Sequence, residues 1–348
     1  MAQQMDVSAG PWQLAGRRLR RDKLALAFGV LFALLVLACV AAPLWSHQVA
    51  HRGPNEQASS SATVTIDGVE TPIIAPYSEA DAGTPIGPTW QGEYFLGADT
   101  GGRDNMVRLL YGGRNSLMIG VGAALVTTLL GLLAGLVAGF FRGRIDAVFS
   151  SAMDILWAFP VILLGIALGT ALSTGGLELG PVTLASGSLA IPIFVISIVY
   201  VPYMARPIRG QVLSLREKEF VEAARVQGMS PWRIMLTEVL PNVTSTVLVF
   251  FPLLVANAVL LEAALSFLGA GVQAPAPSWG TMIDEGVQRI VTAPYLAIVP
   301  GAMLALTVLS LNAFGDGLRD ALDPRAKVRL RPAAAGVADP EPIAGASA

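Results

Sequence analysis

Few residues in this chain could carry covalent chemistry. There are two histidines, His47 and His51, and one cysteine, Cys39. The histidines share one segment, with no thiol or carboxylate cluster to complete a metal's ligand set, so they read as interfacial loop residues. Cys39 lies in an apolar run, has no second cysteine to pair with, and reads as a small hydrophobe. Neither a His-Glu-x-x-His nor a Gly-x-Ser-x-Gly pattern occurs. Lysine stands only at positions 23, 218 and 327, never in a Gly-Lys-Ser/Thr setting, so no P-loop can cradle a nucleotide's phosphates. The spacing that does suggest a task is a polar interruption between two long apolar runs. It extends from Glu219 to Gly228 and closes at Leu240-Pro241-Asn242.

The elements that must hold this interruption are membrane spans. Hydrophobic residues make up 53% of the 348-residue chain and charged residues 14%, against about 25% charged in soluble domains. A net charge of −2 offers no basic field for nucleic acid. A span needs roughly 20 mostly apolar residues. Six segments qualify: Leu24–Trp45, Ser116–Phe141, Ile155–Ser173, Leu184–Ala205, Val243–Leu268 and Ala293–Phe314. The third and fourth contain Pro160, Pro192 and Pro202, which neighbouring helices in a bundle can accommodate. The first run exceeds a signal-peptide core of roughly 7–15 residues, and Pro43 follows Ala41-Ala42 where cleavage would be sought, so it reads as an uncleaved anchor. The expected fold is all-α: a polytopic membrane protein of six transmembrane helices, with one cytoplasmic loop between spans and a small external loop region.

Lys and Arg near span ends set orientation. One side collects the Arg17–Lys23 cluster, Arg142, Arg144, Arg206, Arg209, Arg216, Lys218, Arg225, Arg233 and the cations from Arg319 to Arg331. The other side carries Arg52, Arg103, Arg108, Arg114 and Arg289. This asymmetry places both termini in the cytoplasm. The organisation expected is a cytoplasmic segment (1–23), the first span (24–45), an external loop (46–114), a five-helix core (115–325) that contains the cytoplasmic loop 206–242, and a disordered cytoplasmic tail (326–348). Within the external loop, Val64 to Val69 alternates around Asp67-Gly68, a hairpin signal.

In the cytoplasmic loop, Phe220, Ala223, Ala224 and Gln227 recur at helical spacing, on one face. Glu217, Glu219 and Glu222 favour a helix start, where the dipole welcomes negative charge. Gly228 supplies a residue able to take positive φ and stop the helix. Ser230-Pro231 restarts one, with Ser at the N-cap and Pro at the first position. Pro241 closes the element ahead of the fifth span. Small side chains at Ala223-Ala224 would let a partner backbone approach, so the pattern reads as a docking element; an amphipathic helix on the inner leaflet is the alternative.

The spacing Glu222-Ala223-Ala224-x-x-x-Gly228, nine residues, then two and Leu240-Pro241 resembles the EAA loop of permease subunits of ABC importers. Glu238 stands where an apolar residue often precedes the Leu-Pro, a feature of the peptide-importer branch. Leu96-Gly97-Ala98-Asp99-Thr100-Gly101-Gly102-Arg103-Asp104, Tyr111 to Leu117, Arg209 to Leu215, Glu262 to Gly269, Pro277-Ser278-Trp279-Gly280 and Gly315 to Arg325 are similar to C-type dipeptide and oligopeptide permeases of the MetI-like superfamily. Segment 53–95 is longer than is usual in that family.

The resemblance implies that Glu219, Glu222, Ala223, Ala224, Gly228, Leu240 and Pro241 form the coupling element seated on a cytoplasmic ATPase. It implies an inner-membrane permease with no cofactor bound directly, ATP being used by two partner ATPase subunits. A second related permease, an external solute-binding protein and membrane lipid complete the partners; nucleic acid does not. Asp99, Arg103 and Asp104 form an external motif that either meets the binding protein or, the preferred reading, braces the loop into the second span. Glu262, an acid in an apolar run, reads as a structural hydrogen-bonding group. The expected role is a non-catalytic transport subunit for di- or oligopeptides. Nickel, glutathione or opines are alternative solutes. A secondary transporter would need mid-membrane coupling acids, and none forms a convincing set.

Overall fold

A computed structural model of the chain describes residues 16–59, 61–75, 83–179 and 182–322. The expected tail at 326–348 and most of segment 1–23 lie outside these residues. Among the described residues, five helices are long and apolar enough to cross a membrane, or six if one bent pair counts as a single span. In chain order the helices are α1 (Lys23–Val40), α2 (Asn105–Phe141), α3 (Gly143–Ala158), α4 (Val161–Gly175), α5 (Ala190–Leu215), α6 (Glu219–Val226), α7 (Pro231–Ile234), α8 (Leu240–Phe267), α9 (Trp279–Val287) and α10 (Tyr295–Leu322). A one-turn helix (Ala42–Trp45) and a π-helical turn (Ser46–Ala50) extend the end of α1.

The spans alternate in direction. The Arg18 side chain donates to the Ala321 carbonyl, which puts the start of α1 beside the end of α10. At the opposite end, Tyr295 at the start of α10 donates its hydroxyl to the carbonyls of Ile86 (2.7 Å) and Ala98 (3.0 Å) in the loop that follows α1. The bundle's centre is α2 against α5. Gly131, Gly135 and Gly139 recur every fourth residue along α2, and a Cβ at Gly135 would come within 2.7 Å of the Ala205 carbonyl oxygen. Small residues at this spacing let two backbones approach where apolar solvent supplies no drive to pack. Around this seam the main core gathers Met204, Ile208 and Val212 of α5 with Leu254, Val255 and Val259 of α8.

Several boundaries differ from those read in the sequence. The third span is not one helix from Ile155 to Ser173: α3 and α4 meet at a 91° bend. Pro160 is extended (φ −56°, ψ 127°), and it pushes Phe159 out of the helical region as well (ψ 138°). The fourth span begins at Ala190 rather than Leu184, which lies in a short antiparallel pair, β3 (Leu177–Leu179) with β4 (Val182–Leu184). It then runs on to Leu215, taking Arg206 and Arg209 into the helix because acids of α3 neutralise them. Arg209 makes a two-pronged bond to Asp146 (2.5 and 2.7 Å), and Arg206 pairs with Asp154 and lies 3.9 Å over the Trp157 ring. The external loop ends at Asp104 rather than residue 114, because helix α2 already begins at Asn105. Finally, α9 is an extra helix between the fifth and sixth spans.

The segment between α1 and α2 folds as a small cap. Its hairpin pairs β1 (Thr63–Ile66) with β2 (Val69–Pro72) around Asp67-Gly68, both at positive φ (50° and 85°), the geometry a tight two-residue hairpin demands. Ile73, Tyr94 and Ala98 make the cap's own buried cluster.

Candidate functional site

The segment Glu219–Pro241 stands at the end of the bundle where α1 begins and α10 ends. Helix α6 starts after extended Lys218 and carries Glu219 and Glu222 in its first turn and Arg225 in its last, as the helix dipole favours. It stops at Gly228, whose φ is +79°. The Met229 N–H donates to Ala224 O (3.1 Å) and the Gly228 N–H to Arg225 O (2.9 Å). These two bonds form a Schellman turn, which satisfies the last carbonyls of the helix. No atom of the described residues lies within 4 Å of a Cβ placed on Gly228, so the backbone conformation alone demands glycine there.

The buried side of α6 is not the face expected. Val221 and Ala224 turn inward and pack with Ile234, Met235, Val239 and Val243. Ala224 is therefore not available to a partner. Phe220, Ala223, Val226 and Gln227 are exposed, Val226 to 84%. Ala223 is the small residue that remains outward. The periodicity marked a helix, but two adjacent apolar stripes were present and tertiary packing chose the other one.

The second half also differs. Ser230 is extended at the N-cap position, yet its hydroxyl makes no capping bond; Pro231 follows at the first helical position. Helix α7 then runs without a break through a π-helical turn, Met235–Val239, into α8. Pro241 does not end the element. It lies in the first turn of α8, where the wider π-turn makes room for a ring that cannot donate to the carbonyl four residues back. This segment is thus continuous with the fifth span.

Contacts brace the element on two further spans. Trp232 packs its ring 5.0 Å from Phe141 at the end of α2. Arg142, which follows α2, pairs with Glu217 (2.5 Å), and Arg216 donates to the Phe140 carbonyl. Gln211 of α5 donates to Asn242 O (3.0 Å) and accepts from the Thr246 hydroxyl (2.5 Å). Helix α7 and the residues that lead into α6 are thus tied to the ends of α2, α5 and α8.

At the opposite end, Asp99 and Asp104 do different things. Asp104 caps α2: it accepts from the N–H groups of Met106 (2.9 Å) and Val107 (3.1 Å), and its second oxygen takes the Tyr94 N–H (2.7 Å). Burial pushes its carboxyl above the usual carboxylate range, against the pull of those three N–H groups. Asp99 pairs with Arg103 (2.6 Å) and Arg108 (3.1 Å), and both arginines reach Glu285 of α9 (2.8 and 3.1 Å). Arg108 is 1% exposed. In the sequence, Arg108 counts only toward orientation and nothing singles out Glu285. An arginine at the start of an apolar helix was the available signal for the first; the second lies 177 residues away, beyond any local pattern.

Glu262 is fully buried in α8. It accepts from the Ser266 hydroxyl (2.7 Å), which in turn accepts from Val272 N–H (3.0 Å). Ser116 of α2 accepts from the Trp279 N–H (3.2 Å), which joins α2 to the start of α9.

Comparison with known proteins gives this arrangement its class. Residues 131–328 match the family described as binding-protein-dependent transport system inner membrane component, and residues 10–60 match the N-terminal TM domain of oligopeptide transport permease C. The chain belongs to that inner-membrane component family: it is the permease subunit of an ABC transporter, a class that works with ATPase partners. It is 36% identical to the dipeptide transport system permease protein DppC of Alkalihalophilus pseudofirmus, over 92% of each chain. It is 35% identical to the oligopeptide transport system permease protein OppC of Escherichia coli K12, over 90% of this chain and 91% of that one. It is likewise 35% identical to the glutathione transport system permease protein GsiD of Pectobacterium atrosepticum, over 91% and 92%. Among solved structures, an inward-facing conformation of the MetNI methionine ABC transporter covers 62% of this chain and 96% of that one (TM-score 0.50, 18% identity), which speaks for the fold alone.

Proposed function

We propose that this chain is one of two related permeases in an importer of di- and oligopeptides, and that Glu219–Pro241 couples it to a cytoplasmic ATPase. Both termini lie in the cytoplasm, an external solute-binding protein delivers the peptide, and the chain itself binds no cofactor and hydrolyses nothing. The peptide reading follows the names of the relatives above, which describe carriers of dipeptides, oligopeptides and glutathione.

The observation that carries the coupling role is an exposed apolar face, Phe220, Ala223 and Val226, on a short helix otherwise rich in charge. Such side chains in water are an unpaid hydrophobic surface unless a partner covers them. A cleft on the ATPase would take this face, while Glu219 and Glu222 make polar contacts at its rim. Closure of the ATPase pair on ATP would shift α6, and through Trp232, Gln211 and the unbroken α7–α8 path would favour one orientation of the spans. The loop can bias that equilibrium only by binding the ATPase differently in the two states.

Coexpression with the neighbouring genes tests the reading. Affinity capture of this chain is expected to bring down an ATPase, and Gly228→Val is expected to abolish capture while the chain still inserts in the membrane. Peptide uptake into liposomes by this chain alone would sink the proposal.

A further inference from the structure

The cap between α1 and α2 carries an aromatic arrangement that its small core does not explain. Tyr94, at the centre of that core, is fully buried, yet Trp90 four residues earlier is 68% exposed. Both hold φ in the left-handed region (55° and 58°), where bulky side chains are rarely found. The turn is pinned in that shape. Thr89 donates its hydroxyl to the carbonyls of Glu93 and Tyr94 and accepts from the Gln91 N–H, and the Trp90 N–H donates to Phe95 O (3.2 Å). A backbone strained at two aromatics, and fixed by this many bonds, aims Trp90 outward rather than leaving it there by default.

The direction of that aim is set by the first span. Phe95 packs edge-on to Trp90 (5.4 Å, 88°) and, on its other side, edge-on to Trp45 (5.7 Å, 80°). The same turn presses on the chain just past Trp45: a Cβ at Gly92 would lie 3.3 Å from the Val49 carbonyl oxygen. Trp45 stands at the far end of α1, where a stripe of Val30, Leu34, Leu37, Val40 and Leu44 runs along one face, each 58–62% exposed. Side chains of this kind at steps of three and four face lipid on a spanning helix. Trp90 therefore sits where that apolar stripe gives out, at the level where indole rings collect because one edge is apolar and the other can donate to water or headgroups.

We infer that Trp90 is a lipid-interface anchor that seats the cap on the membrane surface beside the first span, with the headgroup–acyl boundary of the bilayer as its partner. Continuity with the lipid-facing stripe of α1 selects lipid as the occupant. The anchor would hold the cap, and with it Tyr94, Asp99 and Asp104, at a fixed height above the α2 entrance.

Depth-dependent quenching tests this with the full-length chain in phosphatidylcholine vesicles. Emission from Trp90 is isolated as the difference between the wild type and Trp90→Phe. Bromine attached near the carbonyl end of the acyl chains is expected to remove most of that emission, bromine near the chain terminus much less, and aqueous acrylamide little. Emission that acrylamide quenches and bromine does not would put the ring in water and overturn the inference. Emission insensitive to both would put it under protein and overturn it equally. Should Trp90→Phe fail to fold, a nitroxide on Trp90→Cys in a Cys39→Ala background reads the same depth. Greater collision with oxygen than with an aqueous nickel chelate supports the anchor, and the reverse rejects it.

Discussion

The two ends of this permease are held by opposite chemistry. At the end that carries α6, the outward surface is apolar and open, and the charges nearby are exposed partners such as Arg142 and Glu217. At the cap end, Asp99, Arg103 and Arg108 are drawn inside with Glu285 at their partly exposed edge, and Arg108 is almost wholly out of solvent. Buried ions tie the cap and α9 to the start of α2 and cost heavily if one partner is lost. An exposed apolar face tolerates substitution in the free chain and matters when something docks there. Damage at the cap end should appear as lost stability, and damage at the α6 end as lost partnership.

The largest expected effect tests the cap end. Arg108→Met takes one of two cations from buried Asp99 and from partly exposed Glu285, both of which keep Arg103, and is expected to cost about 3 kcal/mol, read as a lowered melting transition in detergent. Adding Glu285→Gln should recover part of that loss; a double variant no better than the single one would break the account. Next comes Gly228→Val. Its strained backbone is expected to cost about 1–3 kcal/mol, with a smaller fall in melting temperature than Arg108→Met but complete loss of ATPase capture. An ATPase that still binds would remove the contrast between the two ends.

Asp104→Ala should cost about 1–2 kcal/mol through the lost cap of α2. Asp104 also sharpens the comparison through pH. Its folded carboxyl titrates above its unfolded range because burial penalises the charge. The stability it contributes is thus complete below the unfolded carboxylate range and is lost as pH rises through the raised folded value. Asp104→Asn should flatten that part of a stability–pH curve. The smallest effect belongs to Arg206→Ala. Its partner Asp154 is 70% exposed, so the pair is worth under about 1 kcal/mol. A melting shift as large as that of Arg108→Met would show that exposure is a poor guide here.

Much of the architecture was legible in the sequence, for identifiable reasons. Long apolar runs can satisfy their backbone in lipid only as helices, so five crossings were readable from composition, and the hairpin from Asp67-Gly68. Pro160 was seen but placed inside a span; its effect on Phe159 broke the helix instead. The start of α5 was misread because Leu184 to Leu189 is apolar enough to join a span, yet turns at Gly187 (φ +75°). Glu285 escaped notice because an ion pair across 177 residues leaves no local trace.

What the sequence by itself determined is the kind of molecule: a bundle of apolar helices with one short polar element and a glycine stop at 228. These follow from local physics, namely the transfer of side chains into lipid and the backbone freedom of glycine. The tertiary structure decided which face of α6 stays exposed, that α7 and α8 are one path, and that Arg108 and Glu285 belong together. Each of those depends on which of several locally equivalent surfaces finds a complementary neighbour, and only packing makes that choice.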